Sequence, residues 1–294
     1  MPAHTSAQCI VPGWHGQGEG LPACLRKLIP LVWKVDAWLR RPSVATKLPC
    51  GDGLPAASSP WVFMRLLAIE TSESIGSVAA LESANLLAER DLPRQQGSAQ
   101  SLAPAIRALL GEVGWRPVQI RLIAVTVGPG SFTGLRVGVT TAKVLAYSVK
   151  AGVLGVDTLE AIAAGCPADA DPLAIAMDAQ RGQVVAGTFR KGPDGWFAAP
   201  KPWQLVDLEA WLAALPAGTC VAGPVLQRVT RALPHGLRVL DSQYWLPKAS
   251  WVGRLAARRY AGGQRDDLWA LVPRYYRRSA AEERWEQKHG RDEG

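Results

Sequence analysis

Two segments of the chain place carboxyl, hydroxyl and glycine residues directly after apolar runs, an arrangement suited to phosphate chemistry. Glu70-Thr71-Ser72 ends the run that starts at Met64, and G-P-G-S-F-T-G-L-R at 128–136 follows the β-branched run 123–127. A carboxylate beside hydroxyls can hold a magnesium-bound phosphate, and the free N–H groups of a helix start can hold the phosphate itself. These features nominate a phosphate or nucleotide contact at Glu70, Thr71, Ser72, Gly130 and Ser131.

The same residues also fit a structure without a ligand. No lysine follows Gly134, so the P-loop pattern is absent, and the glycine spacing does not match the dinucleotide-binding fingerprint. Glu73 lies in the first turn and would repel a phosphate. The alternatives are a satisfied hairpin turn and a tight strand-to-helix connection. The sequence therefore predicts that no cofactor is required and that any nucleotide binding is weak.

The four histidines suggest neither a metal centre nor a catalytic triad. They are His4, His15, His235 and His289, and no two have a local ligand spacing such as H-x-x-x-H. No serine or cysteine has a histidine nearby in the sequence that could activate it. We therefore predict no metal site and no catalytic residue.

The elements that must position these residues follow a β-β-β-α-β-α-β-α order from Met64 onward. Apolar alternation predicts strands at 66–70, 77–82, 85–92, 120–127 and 153–156, and helical spacing predicts helices at 98–113, 133–150 and 159–164. A hairpin joined to crossover helices implies a mixed sheet covered on both faces. This pattern resembles a ribonuclease-H-like lobe. Residues 173–189 repeat the opening strand–turn–strand, which predicts two such lobes and an α/β fold class.

The helix predicted after the glycine loop has small residues at every fourth position. Gly134, Gly138, Ala142 and Ala146 form a stripe that another helix can approach closely. Glycine inside a helix costs about 1 kcal/mol relative to alanine, so Gly138 implies a compensating contact. Two alternatives remain for what packs against this stripe. One is a second protein, and the other is the sheet of the same lobe.

Bulk composition is that of a globular chain of two domains. The 294 residues are 48% hydrophobic with a formal net charge of +8. Seven arginines gather between residues 254 and 278, where they could meet RNA phosphates, an acidic protein face or only solvent. Five cysteines without a C-x-x-C pair favour reduced thiols, and no apolar run is long enough to cross a membrane. We expect a cytoplasmic protein.

Residues 1–63 differ from the rest of the chain. They contain eight prolines and four tryptophans without helical or strand periodicity. One interpretation is that translation begins at Met64 and that the leader is an upstream misreading, and the other is a disordered arm. The predicted organisation is therefore a non-conforming leader at 1–63, an N-terminal lobe at 64–165, and a C-terminal lobe with a charged tail at 166–294.

Five motifs in this order resemble the TsaB (YeaZ) family. They are M-R-L-L-A-I-E-T-S from Met64, the glycine loop from Gly128, G-V-D-T-L-E-A from Gly155, M-D-A-Q-R-G-Q-V from Met177 and P-R-Y-Y-R from Pro273. The resemblance extends from Met64 to Arg278 and excludes the leader. It implies an actin-like ATPase (ASKHA) fold that has lost its catalytic groups, in a subunit that is not itself an enzyme.

The family resemblance also implies a function and a docking surface. It implies a scaffold that dimerises with TsaD in threonylcarbamoyl transfer to the tRNA adenosine next to the anticodon, works with TsaE, forms a homodimer when alone and meets tRNA through the complex. The alternatives are an actin-like ATP-dependent phosphotransferase acting alone and, disfavoured by the histidines, a metalloprotease-like relative. The interface residues carried over by position are Leu102, Ile106, Leu109, Phe132, Gly134, Arg136, Gly138, Thr141 and Ala142.

Overall fold

The computed structural model describes residues 64–93, 97–229 and 233–277, all within one compact unit of the chain, Gly53–Gly294. The predictions for residues 1–63 and for the charged tail after residue 277 lie outside the described residues. Two sheets organise the described part, and each is flanked by helices. This is the predicted α/β architecture of two lobes.

The first sheet has five strands in the order β3-β2-β1-β4-β5. The hairpin partner β2 runs antiparallel to β1, whereas β4 and β5 run parallel to it, which is the arrangement of a ribonuclease-H-like sheet. The β1, β2 and β4 strands are buried on both faces and therefore read as continuous apolar runs. The strands are β1 (Arg65–Glu70), β2 (Ser77–Glu82), β3 (Asn85–Asp91), β4 (Leu122–Gly128) and β5 (Gly152–Asp157).

The second sheet repeats this arrangement. Its central strand β6 pairs antiparallel with β7 and parallel with β10, and β10 pairs parallel with β11. Two short strands, β8 and β9, each pair with β7. The predicted internal duplication is therefore confirmed by topology. The strands are β6 (Leu173–Asp178), β7 (Gln183–Lys191), β8 (Phe197–Ala198), β9 (Gln204–Asp207), β10 (Cys220–Ala222) and β11 (Arg238–Val239).

Five α-helices occur among the described residues. The first two, α1 and α2, contact each other and the first sheet. Ser131 caps α2, because its side chain accepts a hydrogen bond from the Gly134 N–H. The helices are α1 (Ser98–Glu112), α2 (Phe132–Val149), α3 (Thr158–Gly165), α4 (Leu208–Ala213) and α5 (Ala249–Ala261). None of them is long and apolar enough to span a bilayer.

The helix α3 packs against both sheets, and α5 packs against the sheet of the lobe that precedes it in the sequence. Leu159 and Ile162 of α3 join the core of the second sheet, whereas Val252 and Ala256 of α5 pack with Leu66 and other residues of the first sheet. The predicted boundary at residue 165 therefore divides the sequence but not the packing. The two helices also touch each other, so they form a shared layer between the lobes.

Candidate functional site

The two segments that the sequence predicts for phosphate contact, the β1–β2 turn and the glycine loop, meet at a cleft between the two lobes. This cleft has a volume of about 500 Å³ and is lined by the β1–β2 turn, the glycine loop, the β6–β7 turn and the C-terminal segment. Ser72, Gly130 and Ser131 line it, as the sequence predicts for a phosphate contact. Glu73 and Asp178 add carboxyl groups, and Asp178 is paired with Arg228. The cleft is therefore mixed in charge.

Glu70 and Thr71 do not reach the cleft, so the prediction that they contact phosphate is wrong. Both side chains are fully buried. One carboxyl oxygen of Glu70 accepts hydrogen bonds from the Ser72 N–H at 2.6 Å and from its hydroxyl at 2.5 Å, and the other has no partner. Burial raises the pKa of Glu70 to about 8. An enclosed carboxyl group with a raised pKa is a poor ligand for magnesium.

The donors of the glycine loop are partly used within the protein. The Ser131 N–H donates to the Ser72 carbonyl oxygen at 2.7 Å, and its hydroxyl is engaged as the α2 cap. Gly130 has a φ of +154°, and a Cβ there would collide with Ser72. These contacts explain the glycine without a ligand. For Ser72, Gly130 and Ser131 a phosphate contact stays a prediction.

The stripe of small residues on α2 faces the sheet of its own lobe. A Cβ at Gly134 would collide with the main-chain carbonyl oxygen of Thr71, and one at Gly138 would collide with the Thr71 hydroxyl. Ala142 and Ala146 are also buried. The prediction that Gly134, Gly138 and Ala142 dock a partner is therefore wrong, because these positions are small to let α2 approach β1.

Three further residues predicted for the interface are enclosed in the same way. Leu102, Ile106 and Leu109 form the buried face of α1, which packs on β2 and β3. Their helical spacing is that of a core-facing stripe, and the sequence could not show which side of the helix the sheet covers. Assigning these three leucine and isoleucine side chains to a docking surface is therefore also wrong.

The other predicted interface residues lie on accessible positions of α2. Arg136 is exposed, and Phe132 and Thr141 are half-buried. Two of them already have an intramolecular partner, since Phe132 stacks on Tyr275 with ring centroids 4.6 Å apart and the Arg136 Nε donates to the Tyr275 hydroxyl at 2.9 Å. No described partner chain tests their role in docking, which stays a prediction.

The outer face of α1 and α2 is the surface that the lobe leaves open. On α2 it includes Val144 and Tyr147, which are 49% and 67% exposed, and Thr140 between them and Arg136. On α1 the exposed residues are mostly small. We define this outer face by Ala103, Pro104, Arg107, Ala108, Arg136, Thr140, Val144 and Tyr147.

A C-terminal strap, residues 266–277, crosses beside α2. The Arg274 N–H donates to the Val127 carbonyl at 2.7 Å, and Lys143 donates to the Trp269 and Leu271 carbonyls at 3.0 and 3.1 Å. Trp269 is 70% exposed, and its ring contacts Tyr147. The only sequence signal for this strap is the P-R-Y-Y-R motif.

Asp157 connects the strap, the second lobe and α3. Its carboxylate caps α3 at the Leu159 N–H, accepts from the Trp203 Nε1 at 2.6 Å and accepts from the Tyr276 hydroxyl at 3.4 Å. Burial, reinforced by Glu160, raises the pKa of Asp157 to about 7. In the sequence this aspartate is the third residue of the motif that starts at Gly155, and no residue spacing there points to a function for it.

Comparison with known proteins supports one family. A family model described as TsaD, tRNA N6-adenosine threonylcarbamoyltransferase, matches residues 93–199. The TsaB protein of Bacillus subtilis is 30% identical over 231 residues, which cover 76% of this chain and 98% of that protein. The TsaB protein of Escherichia coli is 29% identical over 241 residues, covering 78% of this chain and all of the relative.

A solved structure agrees with the sequence relatives. YeaZ from Pseudomonas aeruginosa superposes with a TM-score of 0.62 at 26% identity and covers 72% of this chain and 99% of its own. The alignment with near-complete relatives thus includes both lobes and the motifs that build the interlobe cleft. The chain belongs to the TsaB (YeaZ) family.

Proposed function

We propose that the chain is a non-catalytic subunit of tRNA threonylcarbamoyladenosine biosynthesis that supports TsaD by docking through the outer face of α1 and α2. The pathway is the one named for the TsaB relatives. The observation that carries the docking proposal is the exposure of apolar Val144 and Tyr147 beside the small outer residues of α1. Small residues let a partner helix approach closely, and exposed aromatic rings anchor interfaces.

The non-catalytic part of the proposal is supported by the state of Glu70. An actin-like phosphotransferase acting alone would need this carboxyl group to face a magnesium-bound phosphate, but it is buried, hydrogen-bonded to Ser72 and has a raised pKa. We infer that no cofactor is required and that nucleotide binding, where it occurs, is weak and uses Ser72, Gly130 and Ser131. Isothermal titration with magnesium–ATP tests this, and tight binding with hydrolysis would support the phosphotransferase instead.

The assembly around the chain is proposed from the motif resemblance to the TsaB family. The outer face would serve a homodimer in the absence of TsaD, TsaE would join the pair, and tRNA would be reached through the complex. We propose a cytoplasmic location, because the TsaB relatives are bacterial proteins named for a tRNA-modification pathway.

The test of docking uses two valines of similar exposure. Val144 lies on the outer face and is 49% exposed, and Val239 on β11 of the second lobe is 42% exposed. Val144→Asp should abolish co-purification with TsaD and lower threonylcarbamoyl transfer to tRNA, because a carboxylate would be desolvated in the interface. Val239→Asp should leave both unchanged. Equal co-purification of the two variants would remove the outer face from the proposal.

A further inference from the structure

The solvent side of α5 carries arginines interleaved with aromatic rings. Trp251, Arg254 and Arg258 follow one another at helical spacing, and Arg265 lies just beyond the helix. Each guanidinium lies over a ring: Arg254 over Trp251 at 4.5 Å, Arg258 over Trp196 at 5.3 Å and Arg265 over Tyr260 at 3.2 Å. We call this set the arginine–aromatic ridge, comprising Trp196, Trp251, Arg254, Arg258, Tyr260 and Arg265.

A second cavity opens beside the ridge. It has a volume of about 590 Å³ and lies between α5 and the loop that follows β8. Arg258 lines this cavity and belongs to the ridge, and Phe197 in the cavity wall directly follows Trp196 of the ridge. The ridge and the cavity are therefore one continuous surface.

The cations of this surface outnumber the carboxylates that can neutralise them. Lys201, Arg258, Arg259 and Arg274 line the cavity against Asp157 and Glu160. Glu160 is paired with Arg259 at 2.7 Å, Asp194 is paired with Arg258, and Asp157 is enclosed by its three hydrogen-bond donors. Lys201, Arg254 and Arg274 form no ion pair with any residue that the structure describes.

We propose that the ridge and its cavity bind a single-stranded segment of RNA, with phosphates on Lys201, Arg254 and Arg274 and with bases stacked on the ridge rings and guanidinium planes. Proteins hold single-stranded nucleic acid with cationic grooves and with aromatic rings or guanidinium planes on which bases stack, and the three ridge rings are half-buried with a guanidinium over each. An acidic protein would pair its carboxylates with the cations, but it would not account for the aromatic rings of the ridge. The formal net charge of +8 favours the same ligand.

This inference rests on the proposed function, which supplies the RNA as a loop of the tRNA substrate. It goes beyond it by placing a direct RNA contact on this subunit, on a surface other than the outer face of α1 and α2. The two proposals can therefore fail separately.

The experiment measures binding of fluorescein-labelled, unmodified tRNA transcript to the full chain by anisotropy between 50 and about 200 mM salt. A Lys201→Gln, Arg254→Gln double variant should weaken binding and reduce the slope of log K against log salt by about 1.4, or about 0.7 for each lost phosphate contact. The control is Arg238→Gln on β11, which lies at the other edge of the second sheet from β8 and the cavity. It removes one charge and should keep the wild-type salt slope. Wild-type binding by the double variant would overturn the proposal.

A second variant addresses stacking. Trp196→Ala should weaken binding at least about fivefold with an unchanged salt slope, because stacking is not a phosphate contact. Trp196 also packs beside the first core, so circular dichroism must show that the variant is folded. If it is not folded, the Lys201→Gln, Arg254→Gln variant decides the proposal, because Lys201 is exposed and Arg254 is only half-buried. If polyglutamate displaces the labelled tRNA as effectively as polyuridine does, and Trp196→Ala has no effect on binding, the ligand of the ridge is an acidic protein and not RNA.

Co-purification with TsaD separates this proposal from the one on which it rests. Ridge variants that retain TsaD but lose tRNA affinity support the RNA surface. A wild-type chain that fails to bind TsaD yet binds tRNA through the ridge would refute the docking proposal and keep this one. A wild-type chain that binds TsaD but shows no tRNA affinity would overturn the ridge alone.

Discussion

Replacing Gly138 by alanine tests whether the small stripe of α2 faces its own sheet. A Cβ at this position collides with the Thr71 hydroxyl, while Thr71 Cβ at 3.4 Å and Val125 Cγ2 at 3.5 Å are ordinary contacts. Overpacking a core costs about 1–3 kcal/mol, and alanine recovers about 1 kcal/mol of helix propensity. Gly138→Ala should therefore lower the free energy of unfolding by about 1 kcal/mol or slightly more.

A double-mutant cycle combines this substitution with one that removes the Thr71 hydroxyl. The Thr71 hydroxyl is buried without a hydrogen-bond partner, so Thr71→Ala deletes the clashing atom at little cost in hydrogen bonding. In that background Gly138→Ala should become neutral or stabilising by up to about 1 kcal/mol, which gives a coupling free energy near 2 kcal/mol. Equilibrium urea denaturation of the four proteins, followed by circular dichroism, measures the cycle.

Gly134 is the matched control in this design. Its Cβ would meet the main-chain oxygen of Thr71, which no side-chain substitution removes. Gly134→Ala should therefore stay destabilised in the Thr71→Ala background. Additive effects of Gly138→Ala and Thr71→Ala, within about 0.5 kcal/mol, would refute the assignment of the stripe to the sheet.

Three other perturbations follow from the buried groups and the strap. The pKa of Glu70 is about 8 in the folded protein and 4.5 in the unfolded chain, so the free energy of unfolding should fall by up to about 4 kcal/mol as pH rises through this window. Glu70→Gln should remove this contribution, which flattens a plot of the urea midpoint against pH. Trp203→Phe removes the donor to Asp157 and should cost about 1.5–3 kcal/mol above pH 7, where Asp157 is ionised, and less at pH 5.5 in the same assay. Tyr275→Ala removes the stack on Phe132, so trypsin should cleave the strap faster; unchanged cleavage would argue against this anchor.

Periodicity predicted the elements well because each has a regular apolar pattern. The helix predicted at 98–113 is observed as Ser98–Glu112, and the one predicted at 133–150 as Phe132–Val149. The five strands of the first lobe and the duplicated topology also agree with the prediction. The glycine loop was placed correctly between β4 and α2, since its glycines cannot continue either element.

The partner of each helix face could not be predicted, because periodicity identifies a face and not what covers it. The α2 helix has small residues such as Gly138 on one side and Val144 and Tyr147 on another, and both patterns are compatible with a docking surface. The arginines between residues 254 and 278 likewise do not show that α5 packs on the first sheet. Burial of Glu70 depends on the same packing, so the sequence could not show that its carboxyl group is enclosed.

The corrected assignment of the small residues on α2 narrows the proposed docking surface. The small face of α2 is occupied by Thr71, and the first turn of the helix is held by the strap through Phe132 and Arg136. A partner is therefore left with the outer side from Thr140 to Tyr147 and with the adjoining face of α1.

On that remaining surface, a partner helix could approach closely only over α1, where the exposed side chains are short. Its exposed residues Ala103 and Ala108 have short side chains, whereas Tyr147 on α2 projects a ring that Trp269 of the strap already contacts. A partner helix that packs between them would cover Val144 and meet the strap at Trp269. The glycines of α2 thus act indirectly, by seating the helix on β1 so that its opposite side is presented in a fixed position.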